Sequence, residues 1–135
     1  GNQGARWAVK LKFKASEVRK QWDTSPKRPA VLVEVVGDLC DFTYSEFEWE
    51  PLMTSFIRSA EEDSALGGSG VHVRGGAADF RTIGVPKEEV AAAESHINSR
   101  WLYDPNRPSL PVAYAKKHGN AEHLHIQTHP NTRRR

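Results

Sequence analysis

In the run His72-Val73-Arg74-Gly75-Gly76-Ala77-Ala78-Asp79-Phe80-Arg81-Thr82 a glycine bend gives way to a short segment with strand character. Gly67, Gly68 and Gly70 just upstream belong to the same loop, so the chain turns tightly before it enters a strand over Ala77 to Thr82. A second strand is expected before the loop, from Leu52 to Ile57, bounded by Pro51 and by the acidic Ser59-Ala60-Glu61-Glu62-Asp63, which suits a helical turn. After the loop, Pro86 opens a helix where its missing N–H does no harm, and Glu88 and Glu89 suit the positive end of the dipole. The buried stripe of that helix should be Val90, Ala93, Ile97 and Trp101.

Further out, Val31, Leu32, Val35, Val36, Leu39 and Cys40 recur at helical spacing, with Glu34, Asp38 and Asp41 on the other side. Gly37 inside this stripe costs about 1 kcal/mol relative to Ala. Trp7, Val9, Leu11 and Phe13 alternate with smaller or charged residues, which fits a strand or a packed arm within a basic stretch ending at Pro29. Pro105, Pro108 and Pro111 make Tyr103 to Gly119 read as an irregular connection. Ala121 to Gln127 should be the last strand, and residues 130–135 a frayed basic tail. The expected fold is therefore α+β: a small antiparallel sheet, with helices at 30–42 and 86–100 packed to one side.

A chain of 135 residues can bury a core of its own as one domain. Its 19 Lys+Arg against 17 Asp+Glu leave a formal charge of +2, so whole-chain electrostatics demand no nucleic-acid partner. A basic arm (Arg6, Lys10, Lys12, Lys14) and Arg133 to Arg135 are too few charges to argue for one. Cys40 has no second cysteine to pair with and reads as a buried small hydrophobe. No apolar run approaches the roughly 20 residues of a membrane span, and Gly1 to Lys14 lacks the apolar core of a signal peptide. A soluble monomer made in the cytoplasm is expected.

Chemistry concentrates in His72, Asp79, His123 and His125, a nitrogen and oxygen donor set of the kind zinc accepts. Gly75 and Ala77 remove bulk where backbone would pass close to a metal. Glu122 stands three residues before His125, a carboxylate able to take a proton from water and return it to a leaving amine. Strict alternation would put Glu122 and His125 on opposite faces of a strand, so this role demands a bend or bulge near residues 121–124. His123 shares the face of His125 and could hydrogen-bond an oxyanion or a metal ligand. His96, His118 and His129 read as surface residues.

His72 to Asp79 matches H-x-x-G-x-A-x-D, and Glu122-His123-Leu124-His125 supplies an acidic residue three before a final histidine. In these two signatures the chain resembles the zinc D-alanyl-D-alanine carboxypeptidases and dipeptidases and the L-alanyl-D-glutamate phage endolysins, within a superfamily that includes hedgehog. The resemblance spans roughly residues 50–127. It implies zinc held by His72, Asp79 and His125, with Glu122 as general base. Met53-Thr54-Ser55-Phe56-Ile57-Arg58-Ser59 looks like the family strand that ends in Arg-Ser, which would make Arg58 the residue polarising the scissile carbonyl. Read alone, Arg58 could equally pair with Glu61 or Glu62. Where many members carry Ser two residues before the first zinc histidine, this chain has Gly70, with Ser69 one place further back.

The implied activity is hydrolysis of a bond in the peptidoglycan stem by a phage or phage-derived endolysin, acting on the wall after release or delivery. The implied partner is the stem peptide, with no membrane or nucleic acid involved. The rival expectation is a non-catalytic zinc-binding structural or virion protein of the same fold.

Overall fold

A computed structural model of the chain describes residues 10–57, 70–71, 74–118 and 121–135. Among them the element order is β1 (Lys12–Phe13), α1 (Ser16–Thr24), α2 (Ala30–Phe47), β2 (Leu52–Ser55), β3 (Ala77–Arg81), α3 (Lys87–Arg100), β4 (Trp101–Leu102), β5 (Ala113–His118), β6 (Ala121–Gln127) and β7 (Arg133–Arg134). The architecture is mixed α and β, as expected.

Helix α2 forms because Leu32, Val35, Val36, Leu39, Cys40 and Thr43 fall on one face at spacings of three and four, and all are buried. Each large side chain on that stripe contributes about 1.5–3 kcal/mol by leaving water. The helix outruns the expected end at residue 42. It stops at Glu48, whose φ of 54° is left-handed and whose N–H bonds Tyr44 O, while Trp49 N–H bonds Thr43 O. Burial pushes the Cys40 thiol pKa upward, as befits a packing residue.

Helix α3 starts after Pro86 and buries Val90, Ala93 and Ile97, the expected stripe. Trp101 is buried too, but as the first residue of β4. The two long helices are tied at Asp38 of α2. Its carboxylate accepts from His96 Nε2 (3.0 Å), Arg100 Nε (2.9 Å) and Trp101 Nε1 (2.9 Å), while the His96 ring stacks on Phe42 at 4.0 Å between centroids. Burial alone would push the Asp38 carboxyl pKa up, but the hydrogen bonds from His96, Trp101 and Arg100 together hold it below its ordinary value. His96 is thus a packing and clamping residue and not a bland surface one.

The main sheet has the order β1-β2-β3-β6-β5. Its pairs are antiparallel except β1 with β2, which is parallel, so the sheet is mixed where a purely antiparallel one was expected. Met53, Ala78, Phe80, Leu124, Ile126 and Ala113 point to the helix side and join Leu32, Leu39 and Ile97 in one core. Helix α1, which the reading of the N-terminal stretch omitted, closes one end of that core with Trp22, packed edge-on against Phe56 at 5.2 Å. Trp7 and Val9 of the expected strand lie outside the described residues, while Leu11 is buried and Phe13 lies in β1.

Two further segments differ from expectation. Ala113 to His118 is strand β5, not irregular connection. Its outward backbone groups are held by α3: Asn98 Oδ1 accepts from Val112 N and Ala113 N, Asn98 Nδ2 donates to Ala113 O, and Glu94 Oε2 accepts from Ala115 N. The basic tail is not frayed. Arg133–Arg134 pairs with Trp101–Leu102, Arg134 lies over the Trp101 ring at 4.4 Å, and Arg135 N–H bonds Arg100 O.

Candidate functional site

Antiparallel register fixes which side chains share a face. Asp79 of β3 stands opposite His125 of β6, which stands opposite Tyr114 of β5. These residues form a row across the sheet on the face away from the helices, because their neighbours Phe80, Leu124 and Ile126 point into the core. The next row on the same face is Arg81, His123 and Lys116, and on the other side Ala77 faces Gln127. A register shift between Met53 and Ser55 places a bulge in β2 beside Asp79, where Thr54 Oγ1 donates to Asp79 O (3.3 Å).

Asp79 and His125 are both buried, at 4% and 1% exposure. His125 Nδ1 lies 2.7 Å from Asp79 Oδ1, and His123 Nε2 lies 3.7 Å from Asp79 Oδ2. On the other side of the His125 ring, Nε2 lies 3.2 Å from Gln127 Oε1, and Gln127 Nε2 donates to Pro111 O at 2.9 Å. A carbonyl can only accept, so Pro111 fixes the amide orientation of Gln127 and turns its oxygen toward His125. His125 Nε2 must then carry a proton. In a neutral ring this leaves a lone pair on Nδ1, aimed at a carboxylate oxygen at hydrogen-bond distance. The 2.7 Å separation is that of a hydrogen bond, so a proton shared between ring and carboxyl satisfies the pair, and both groups are also of types that can ligate a metal ion.

These two donors are of the types a zinc ion accepts. Asp79 offers carboxylate oxygen, and His125 offers Nδ1 with its other nitrogen oriented by an acceptor, the usual support of a ligating imidazole. Of the expected ligands, the fold brings Asp79 and His125 together. His72 and Arg58 lie outside the described residues. Among the described residues no group of three or more His, Cys, Asp or Glu is gathered to hold a metal ion. Chain next to His72 leads directly to β3, since Arg74 N bonds Gly70 O (3.2 Å) and Gly76 N bonds Val71 O (2.9 Å).

Glu122 is not brought to His125. The pairing of β6 with β5 runs unbroken from Ala121 to Gln127, so the bend that the general-base role demanded does not occur. Alternation turns Glu122 to the helix side, opposite Lys117, where it lines a cavity of about 340 Å³ with Val90, Ala91 and Glu94 of α3. His123, by contrast, shares the face of Asp79 and His125.

Two of the loop glycines have a packing task. Gly75 has φ +77°, and a Cβ there would stand 2.7 Å from Lys27 O; a Cβ on Gly76 would stand 2.9 Å from Thr128 O. Their small size serves backbone packing against the segment before α2 and the turn after β6. Gly70, at φ +90°, occupies a left-handed conformation in which the serine common in the resembled family would be strained.

Sequence reasoning missed Gln127 and Tyr114. Gln127 could have been found, since it lies two residues beyond His125 on the same strand face. Tyr114 was hidden by the failure to see β5. Its ring lies 4.8 Å from that of His125, and burial, then the charge of Asp79, then Tyr103 push its hydroxyl pKa upward.

Comparison of the chain with family models, with curated proteins and with solved structures gives no match. Among the described residues no helix is long and apolar enough to cross a membrane.

Proposed function

We propose that the chain is a zinc-dependent peptidase that hydrolyses a bond of the peptidoglycan stem, either L-alanyl-D-glutamate or D,D, on a fold of the hedgehog and D-alanyl-D-alanine peptidase kind. The observation that carries this reading is the meeting of buried Asp79 and His125 on one face of the sheet, set within two sequence signatures that belong together in that family. His72, Asp79 and His125 would hold the metal. A zinc ion there would supply Lewis-acid polarisation of the scissile carbonyl and make water acidic enough to lose a proton near neutral pH.

The chain's own residues supply the rest. Gln127 holds the His125 ring in the tautomer that offers Nδ1, and Asp79 brings negative charge to the same point. Arg58 polarises the carbonyl. His123, on the site face, takes the proton role that Glu122 cannot fill from the far side of the sheet. Arg81 and Lys116 flank it and suit a substrate rich in carboxylates.

The test is mass analysis of fragments released from purified peptidoglycan by zinc-loaded protein, with Asp79→Asn as control. Fragments of defined cleavage, absent with the control, support the reading and name the bond; a full-length wall peptide after prolonged incubation overturns it. His123→Gln should slow release by about 10²- to 10⁴-fold, the usual contribution of a positioned base, while Glu122→Gln stays near the parent rate. The position of Glu122 also favours a second reading, a zinc-binding structural or virion protein, which would retain metal yet release nothing.

A further inference from the structure

Next to the candidate metal site lies a cavity of about 540 Å³ that the zinc chemistry leaves unused. Its lining includes Arg74, Tyr103, Arg107, Leu110, Gln127 and His129. Gln127 is the shared wall, since its Oε1 faces His125 Nε2 while the same side chain borders the cavity. A molecule in the cavity is therefore one side chain away from the Asp79–His125 pair.

The donors there are arranged for an anion. Arg107 uses Nε to bond Asp104 Oδ2 at 3.1 Å and lies 5.6 Å from the Tyr103 ring centroid, so its two Nη groups keep their donors while the stem is positioned. Arg74 is exposed and forms no ion pair among the described residues. His129 Nδ1 accepts from Asn131 N at 3.0 Å, so the ring proton sits on Nε2, a further donor. Asp104, the carboxylate beside Arg107, is buried and is engaged by Asn106 N and Arg107, so it braces that donor while the two arginines leave an excess of positive charge. Leu110 supplies an apolar wall suited to a small aliphatic side chain.

We propose that this cavity is a subsite for a peptide carboxylate next to a small aliphatic residue, gripped by Arg74 and Arg107. As a substrate subsite it rests on the peptidase reading; as a carboxylate site it does not. The full chain, stripped of metal so that no zinc–carboxylate bond contributes, should be titrated with acetyl-dialanine and separately with its C-terminal amide while amide NMR signals are followed.

The free carboxylate should bind about tenfold more tightly than the amide, with the largest shifts at Arg74, Arg107, Gln127 and His129. Arg107→Gln and Arg74→Gln should each reduce that preference severalfold; Arg74 is exposed, so its variant keeps the parent melting temperature. Equal affinity for the two peptides, shifts centred elsewhere, or a preference retained in both variants would overturn the proposal. Carboxylate selectivity without wall hydrolysis would refute the peptidase reading and leave the subsite standing.

Discussion

Asp38 and Asp79 each meet a histidine at hydrogen-bond distance, yet the two pairs are built for different ends. Around Asp38 every neighbour is a donor: His96, Arg100 and Trp101 converge on one carboxylate, and α2 is clamped to α3. The His125 ring has an oxygen at each nitrogen, Asp79 Oδ1 at Nδ1 and Gln127 Oε1 at Nε2. The first is a carboxylate at the centre of three donors, and the second is an imidazole held between two oxygens that fix its orientation. Burial and proximity alone would not separate the two pairs; the contacts around each carboxylate and each ring do.

The strongest way to break this contrast is to remove each carboxylate and measure metal and turnover. Asp79→Asn should lose zinc by elemental analysis and reduce release of wall fragments by at least about 10²-fold, because a metal ligand is gone. Asp38→Asn should retain zinc and stay within about twofold of parent turnover. Metal loss in the Asp38 variant would erase the distinction.

Stability should respond in the opposite order. Asp38→Ala strands three donors and should cost about 2–3 kcal/mol in urea unfolding. Added zinc should then raise the melting temperature of the parent and of Asp38→Ala alike, but not that of Asp79→Asn. The Asp38 pair also carries a pH signature. Because its folded pKa lies below the unfolded value of about 3.9, its contribution is present above that pH and is lost as pH falls through the folded pKa. Asp38→Asn should therefore flatten the acid limb below about pH 4, and an unchanged limb would reassign that titration to another group. The smallest effect is expected for Arg100→Lys. Arg100 is nearly half exposed, so exchanging its fork for a point charge should shift stability by less than about 1 kcal/mol.

Much of the scaffold was legible because its periodicities are strong. The stripes of α2 and α3 and the short apolar runs of β2, β3 and β6 depend on which residues are apolar, and that is written in the chain. Helix α1 was not, since only Trp22 of its nine residues is buried and the rest read as a basic segment. β5 was masked by three prolines before it and by Lys116 and Lys117 within it; α3 side chains stabilise its border, and no local pattern announces that. The tail looked frayed because charge was the visible feature, while its tie is backbone pairing to Trp101 and Leu102. At the site, the Asp79 and His125 pairing followed from their positions in the two signatures, but the face of Glu122 turned on an unbroken register, and the nearest bulge lies in β2 instead.

The hydrogen bonds from Asn98 and Glu94 to β5 bear on how an extended peptide could approach. Proteins that capture peptides by strand addition offer an open row of N–H and C=O groups at a sheet border. Here the row across Ala113 to Ala115 is already taken by side chains of α3. Over Ala113 to Ala115 this border is therefore not open to another strand, whether from a substrate or from a second copy. A peptide bound for Asp79 and His125 would meet the sheet on the face that carries them, with its side chains and carboxylates, more than its backbone, as the features read.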